Sequence, residues 1–338
     1  MVVLALFTAL ALDQFRPLRA HHRFYGLLRA AAHRIRRLFD ADVPSQAWLV
    51  WVLTVAAPAL LSWGVFALLD AWLGGFWAFL WMVLLLYAAI DFRAFGLHFT
   101  QVRNAFGTGD VQRAQAALQR WSAEFGDACE CHLSASSPVQ RSPLQLQACA
   151  VRLSVLHMHR CVFGVFTAFL LLAFLGFGPL GAVLFRLSGY VQRWHEDAAR
   201  QALSQRASPA LAAAAQQAWQ VVNWLPARVT MLMFAAVGRF DEAVSAWRAV
   251  AAQGGDSDAL VMATAVAAMG QSPAMPPAMR AATLQGGPHQ LLDAQPPFHE
   301  EDSEHAAAAL HALAGMIWRT LVLWALLWLV IGLIGAVS

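Results

Sequence analysis

Residues 162–185 read VFGVFTAFLLLAFLGFGPLGAVLF, with no charge and an internal break at Gly176-Phe177-Gly178-Pro179-Leu180-Gly181. Roughly 20 apolar residues suffice to cross a bilayer core, so this stretch belongs in a membrane. The Gly/Pro break leaves two courses open: one interrupted crossing, or a hairpin that folds back at GFGPLG. Helix-breaking residues at membrane depth are tolerated where other protein satisfies the freed backbone groups. The four arginines that follow (Arg186, Arg193, Arg200 and Arg206) favour the hairpin, because a single crossing would put them outside, against the positive-inside tendency.

The rest of the 338-residue chain agrees with a membrane class: 59% of it is hydrophobic and only 13% charged, about half the charged fraction of a soluble domain. Its 23 basic residues are all Arg. The absence of Lys excludes a P-loop lysine, a Schiff base and pyridoxal-phosphate chemistry, and leaves phosphate recognition to Arg, backbone amides or a metal. The four cysteines, at 129, 131, 149 and 161, fall in or beside a segment placed in the cytoplasm, where free thiols are expected. Cys129-Glu130-Cys131-His132 is half of a zinc-like site with no second pair to close a tetrahedron.

In chain order, residues 1–12 form a short uncleaved membrane helix. A basic amphipathic helix follows, with seven arginines from Arg16 to Arg37 and apolar residues at helical spacing. It marks the cytoplasmic side and fits either anionic lipid headgroups or a plain positive-inside flank. Trp48–Leu69 and Trp72–Ile90, joined at Asp70-Ala71, form a transmembrane hairpin. Residues 91–160 read as a cytoplasmic helical segment with a Gly107-Thr108-Gly109 turn and a Ser/Pro-rich loop over 126–143. Residues 161–237 hold the interrupted membrane segments, the second being Trp224–Val237, which is too short to cross. Residues 239–252 and 258–269 form a helical pair resembling one tetratricopeptide unit, followed by a Pro/Gly/Met-rich linker. Residues 301–338 carry the last span, Ile317–Val337, with Arg319 near its start. The expected fold is therefore all-α: about four spans, re-entrant or short membrane helices, and a cytoplasmic helical domain.

Residues 178–186, GPLGAVLFR, and 223–230, NWLPARVT, resemble the two best signatures of the membrane superfamily containing AmpE and CobD/CbiB. The resemblance runs from the N-terminus to about Met269. For AmpE it implies an inner-membrane regulator linked to cell-wall recycling and β-lactamase induction. For CobD/CbiB it implies adenosylcobinamide-phosphate synthesis from a corrinoid, with ATP and Mg²⁺ as cofactors. The synthase branch places an acid, an Asn and an Asp before its first membrane hairpin, whereas Val151–Arg160 here contains none of them. Its Asn-Thr-Leu-Asp is replaced by Leu187-Ser188-Gly189-Tyr190. Carboxylates that would hold Mg²⁺ are the residues lost. The chain is thus more similar to AmpE, or to a diverged CobD-like paralogue, and no catalytic residue is assigned.

Ionisable groups at membrane depth are costly and by default mark function or pair with one another. On that ground the candidate ligand-binding residues are Arg228, Arg186, Asn223, Tyr190, His157, His159, Arg160 and Asp13. Arg228 is the sharpest, being able to hold a carboxylate or phosphate bidentately or to serve as a structural pair. His157 and His159, two apart, do not share a helix face and make a poor metal pair. His299, Glu301 and His305 are the remaining metal candidates, against a solvated acidic helix start. Expected partners are membrane lipids and an anionic small molecule or corrinoid, without nucleic acid; homo-oligomerisation stays open. The expected location is the bacterial inner membrane, multi-pass, with the basic N-terminal region cytoplasmic.

Overall fold

The computed structural model describes residues 1–15, 44–125, 143–200, 209–270 and 300–337, without the side chains of 44, 143–144, 194–200, 300–306, 331 and 333–337. The basic amphipathic helix, the Cys129–His132 motif, the 270–300 linker beyond Gly270 and His299 lie outside the described residues. All regular structure within them is helical. The helices are α1 (Val2–Phe15), α2 (Pro44–Trp51), α3 (Ala57–Leu73), α4 (Gly75–Ala89), α5 (Phe92–Gly107), α6 (Val111–Phe125) and α7 (Pro143–Met158). There follow α8 (Gly164–Phe174), α9 (Leu180–Arg200), α10 (Pro209–Val237), α11 (Phe240–Ala252), α12 (Ser257–Ala268) and α13 (Glu300–Val337). Five-residue π-helical segments, Val52–Ala56 and His159–Phe163, join α2 to α3 and α7 to α8 without a break.

Five helical stretches are long and apolar enough to cross a membrane: Ser45–Leu73, Gly75–Gly107, Gln145–Phe174, Pro209–Val237 and Ala307–Val330. Several of them differ from the sequence reading. The first hairpin turns at Gly74, not at Asp70-Ala71, because Gly74 takes φ 89° and ends a helix that runs through both. Pro226 does not split the 209–237 segment, which is one continuous helix; an internal proline is tolerated in apolar helices where neighbours compensate the lost backbone bond. Residues 145–174 form one stretch that joins part of the expected cytoplasmic segment to the expected hairpin, and 89% of its apolar window is buried.

The chain divides into two compact units. Unit 1 comprises Met1–Arg93 and Arg160–Pro226. Within it α3 and α4 form a hairpin, α1 packs on α4 and α8, and α9 packs on α8, α3, α4 and the first π segment. Helix α9 is enclosed: every residue from Phe185 to Arg193 except Tyr190 is buried. Trp51, Val55, Leu187, Val191, Ala215 and Ala218 form one of its cores, and Ala47, Val50, Leu211 and Ala214 another.

Unit 2 comprises Ala94–His159 and Ala227–Ser338. Helices α6, α12 and α13 all pack on α7, and α11 pairs with α12. Asp110 caps α6 by accepting the Arg113 backbone N–H at 2.9 Å, and Asp256 caps α12 through the Ala259 N–H at 2.8 Å.

Candidate functional site

Two helices made by the interrupted sequence create the site in unit 1. Gly176 and Gly178 adopt φ 88° and 53°, which turns α8 back into α9. A Cβ at Gly181 would run into the backbone carbonyl of Ala168, so only glycine allows the two helices to approach this closely. The segment 162–185 folds back on itself and does not cross as one rod.

This turn aims α9 through the unit. At about 100° per residue, Arg186 and Arg193, seven apart, share a face. Arg186 is 7% exposed and Arg193 6%. The Arg186 guanidinium donates from Nη1 to the Cys161 Sγ at 2.7 Å, and its Nη2 lies 3.7 Å from the Asp91 carboxylate. Arg160, beside Cys161 in the second π segment, is 6% exposed and lies over the Trp219 ring of α10, 5.2 Å from its centroid. The Trp219 ring also meets Phe185 at 5.1 Å and seats against Gly189. Asn223, one turn beyond Trp219 on α10, is fully buried. Unit 1 therefore buries three guanidinium groups among apolar helices, with Asn223 one turn beyond Trp219. Arginine is suited to such a place because its planar fork binds carboxylate or phosphate through two parallel hydrogen bonds.

The other candidates separate. Arg228 lies in unit 2, is half-buried, and points about 140° around α10 from Asn223 by helix geometry. Tyr190 is half-buried on α9. Asp13, at the end of α1 and outside the five long stretches, accepts the Arg93 backbone N–H at 3.0 Å. Burial pushes its carboxyl up to about 6, against the opposing pull of that hydrogen bond.

The two histidines sit in the core of unit 2. Trp121 donates its indole N–H to His157 Nδ1 at 3.0 Å, and Phe125 stacks on the imidazole at 4.6 Å. Indole nitrogen is only a donor, so His157 Nδ1 is an acceptor, Nε2 carries the proton, and neither nitrogen offers a lone pair to a metal. His159 Nδ1 shares a 3.0 Å hydrogen bond with Thr230 Oγ1. Both histidines therefore have built hydrogen-bond partners in the packing. Glu301 and His305 lie on α13, but their side chains are outside the described residues.

Arg193, Cys161 and Trp219 were not singled out as site residues by sequence. A signal existed for Arg193, seven residues from Arg186 on an amphipathic helix; none existed for the Cys161 and Trp219 contacts, which come from other segments. Cys149 is disulfide-bonded, correcting the expectation of free thiols throughout, while Cys161 is free and buried.

Comparison with protein-family models, curated proteins and solved structures gives no match to this chain.

Proposed function

We propose that the protein is a multi-pass membrane protein that binds an anionic ligand at Arg160, Arg186 and Asn223 in unit 1. The observation that carries this is the burial of three arginines in one helical membrane unit, two of them on a single face of α9. Charged side chains are kept among apolar helices only against a substantial cost, and they mark binding sites or pathways by default. Arg193 extends the same face.

In this reading the protein acts by binding, as an AmpE-like regulator in the bacterial inner membrane would. The likeness of residues 178–186 and 223–230 to that superfamily supports the assignment, and these residues include Arg186 and Asn223. The basic stretch 16–37 orients the N-terminal region to the cytoplasm by the positive-inside tendency. The CobD/CbiB-like synthase is the second reading, favoured by the same two signatures, and it would bring ATP, Mg²⁺ and a corrinoid to the membrane face.

Equilibrium retention of radiolabelled inorganic phosphate by the detergent-purified protein tests the binding reading. Retention that falls at least tenfold in Arg186→Gln supports it; equal retention in both proteins removes the site. Restoration of cobalamin synthesis in a synthase-deficient strain would instead establish the second reading.

A further inference from the structure

Around α9 the arginine face is only one of two polar faces. Ser188 and Gln192, one turn apart, lie well round the helix from Arg186 and Arg193, by about 100–160°. The Gln192 side-chain N–H donates to Gln216 Oε1 on α10 at 2.9 Å. The Gln192 Oε1 and the Ser188 Oγ, in residues 3% and 0% exposed, have no hydrogen-bond partner among the described residues. The indole N–H of Trp51 is in the same condition, and Trp51 packs on Leu187 and Val191, the chain neighbours of Ser188 and Gln192. Two acceptors on α9 and a donor on α2 thus lie on elements that pack on one another and on α10 through Trp51, Leu187, Val191, Ala215 and Ala218. Buried polar side chains are satisfied in the great majority of cases, and each exception needs an explanation.

Neutral groups of both senses suit a small molecule that both donates and accepts. We infer that the Ser188–Gln192–Gln216 seam binds ordered water inside the membrane unit. Water makes about three hydrogen bonds in such sites, and the seam supplies a carbonyl oxygen, a hydroxyl and an indole N–H. Bound water satisfies side chains that would each carry the full desolvation cost if left dry. Trp219, three residues from Gln216, lies between this seam and the guanidinium of Arg160, so α9 has a wet neutral side and a charged side divided by one aromatic ring.

Hydroxyl-radical footprinting of the full-length protein, with mass spectrometry, reads this directly, because radicals formed from bound water oxidise the side chains beside it. Trp219, only 2% exposed, is the reporter. Trp121, fully buried with its N–H held by His157, is the dry control. Oxidation of Trp219 roughly tenfold faster than Trp121, falling to the Trp121 rate in Ser188→Ala/Gln192→Leu, is the expected result. A Trp219 as inert as Trp121, or one oxidised equally in the double variant, overturns the inference. Thermal melting of Ser188→Ala gives an independent reading. A hydrated seam loses a hydrogen bond and the melting temperature falls; a dry seam sheds an unsatisfied hydroxyl and it rises, which also overturns the inference.

Discussion

The backbone carbonyl of Ala168 occupies the place a Cβ of Gly181 would need. This one contact sets how closely α8 and α9 lie, and so where α9 presents its arginines. On the other side of the turn, the ring of Phe66 on α3 lies 2.6 Å from the position of a Gly178 Cβ, and Trp63 meets Phe177 at 5.7 Å. The turn therefore stops beside Trp63–Phe66. That is about 12 Å short of the Gly74 turn, at 1.5 Å per residue.

Gly181→Ala forces α8 and α9 apart and destabilises the protein by about 1–3 kcal/mol, the usual cost of overpacking. Thermal melting of the purified protein followed by tryptophan fluorescence checks it. Gly64→Ala, at an open position on α3, is the control and leaves the melt within a degree or two. Equal melts for the two variants would mean that the close approach is not required.

The Trp121–His157 pair makes a second expectation. Trp121→Phe keeps most of the ring but removes the only donor the indole has, and it leaves a buried imidazole nitrogen without that bond. The expected loss is about 1–3 kcal/mol, read by denaturation in mixed detergent. Phe125→Leu removes only the stacking partner and should cost less.

Asp13 gives the protein a pH dependence with a defined sign. Its folded-state value of about 6 lies above the ordinary carboxylate value of 3.8. The stabilising contribution of the protonated form is therefore full below about 3.8 and is lost as the pH rises through about 6. Melting temperature should fall between pH 4.5 and 7, by an amount of order 2–3 kcal/mol in stability. Asp13→Asn should flatten that interval while keeping an oxygen to accept the Arg93 N–H. A pH profile identical to wild type would show that Asp13 does not titrate there.

The parts legible in the sequence were those with a local cause. Gly107-Thr108-Gly109 and Asp110 end one helix and cap the next, and the structure turns there, with Gly109 at φ 68°. The pair at 239–269 forms helices within a residue or two of the expected bounds, Phe240–Ala252 and Ser257–Ala268. The sequence favoured a fold-back at GFGPLG over a single crossing, and the chain turns there, with Gly176 and Gly178 at positive φ. The misreadings arose where a local signal was outweighed by neighbours. Pro226 looks like a stop but sits within a continuous helix, and Asp70 looks like a turn residue but lies a turn inside α3. Arg186 and Asn223 stood out in the sequence as a charge and an amide in apolar surroundings, and both are buried. The Cys161–Arg186 and Arg160–Trp219 contacts were not, since each joins segments at least 25 residues apart.

The central claim, an anion held by the buried arginines of unit 1, is tested most directly by isothermal titration of inorganic phosphate into the detergent-purified protein. Wild type and Arg186→Gln are compared at constant ionic strength, with Arg319→Gln, an exposed arginine on α13, as the control. The account predicts saturable binding in wild type and Arg319→Gln, weakened at least tenfold in Arg186→Gln, a loss of about 1.4 kcal/mol or more. Unchanged affinity in a folded Arg186→Gln, or no saturable heat in wild type, would contradict it.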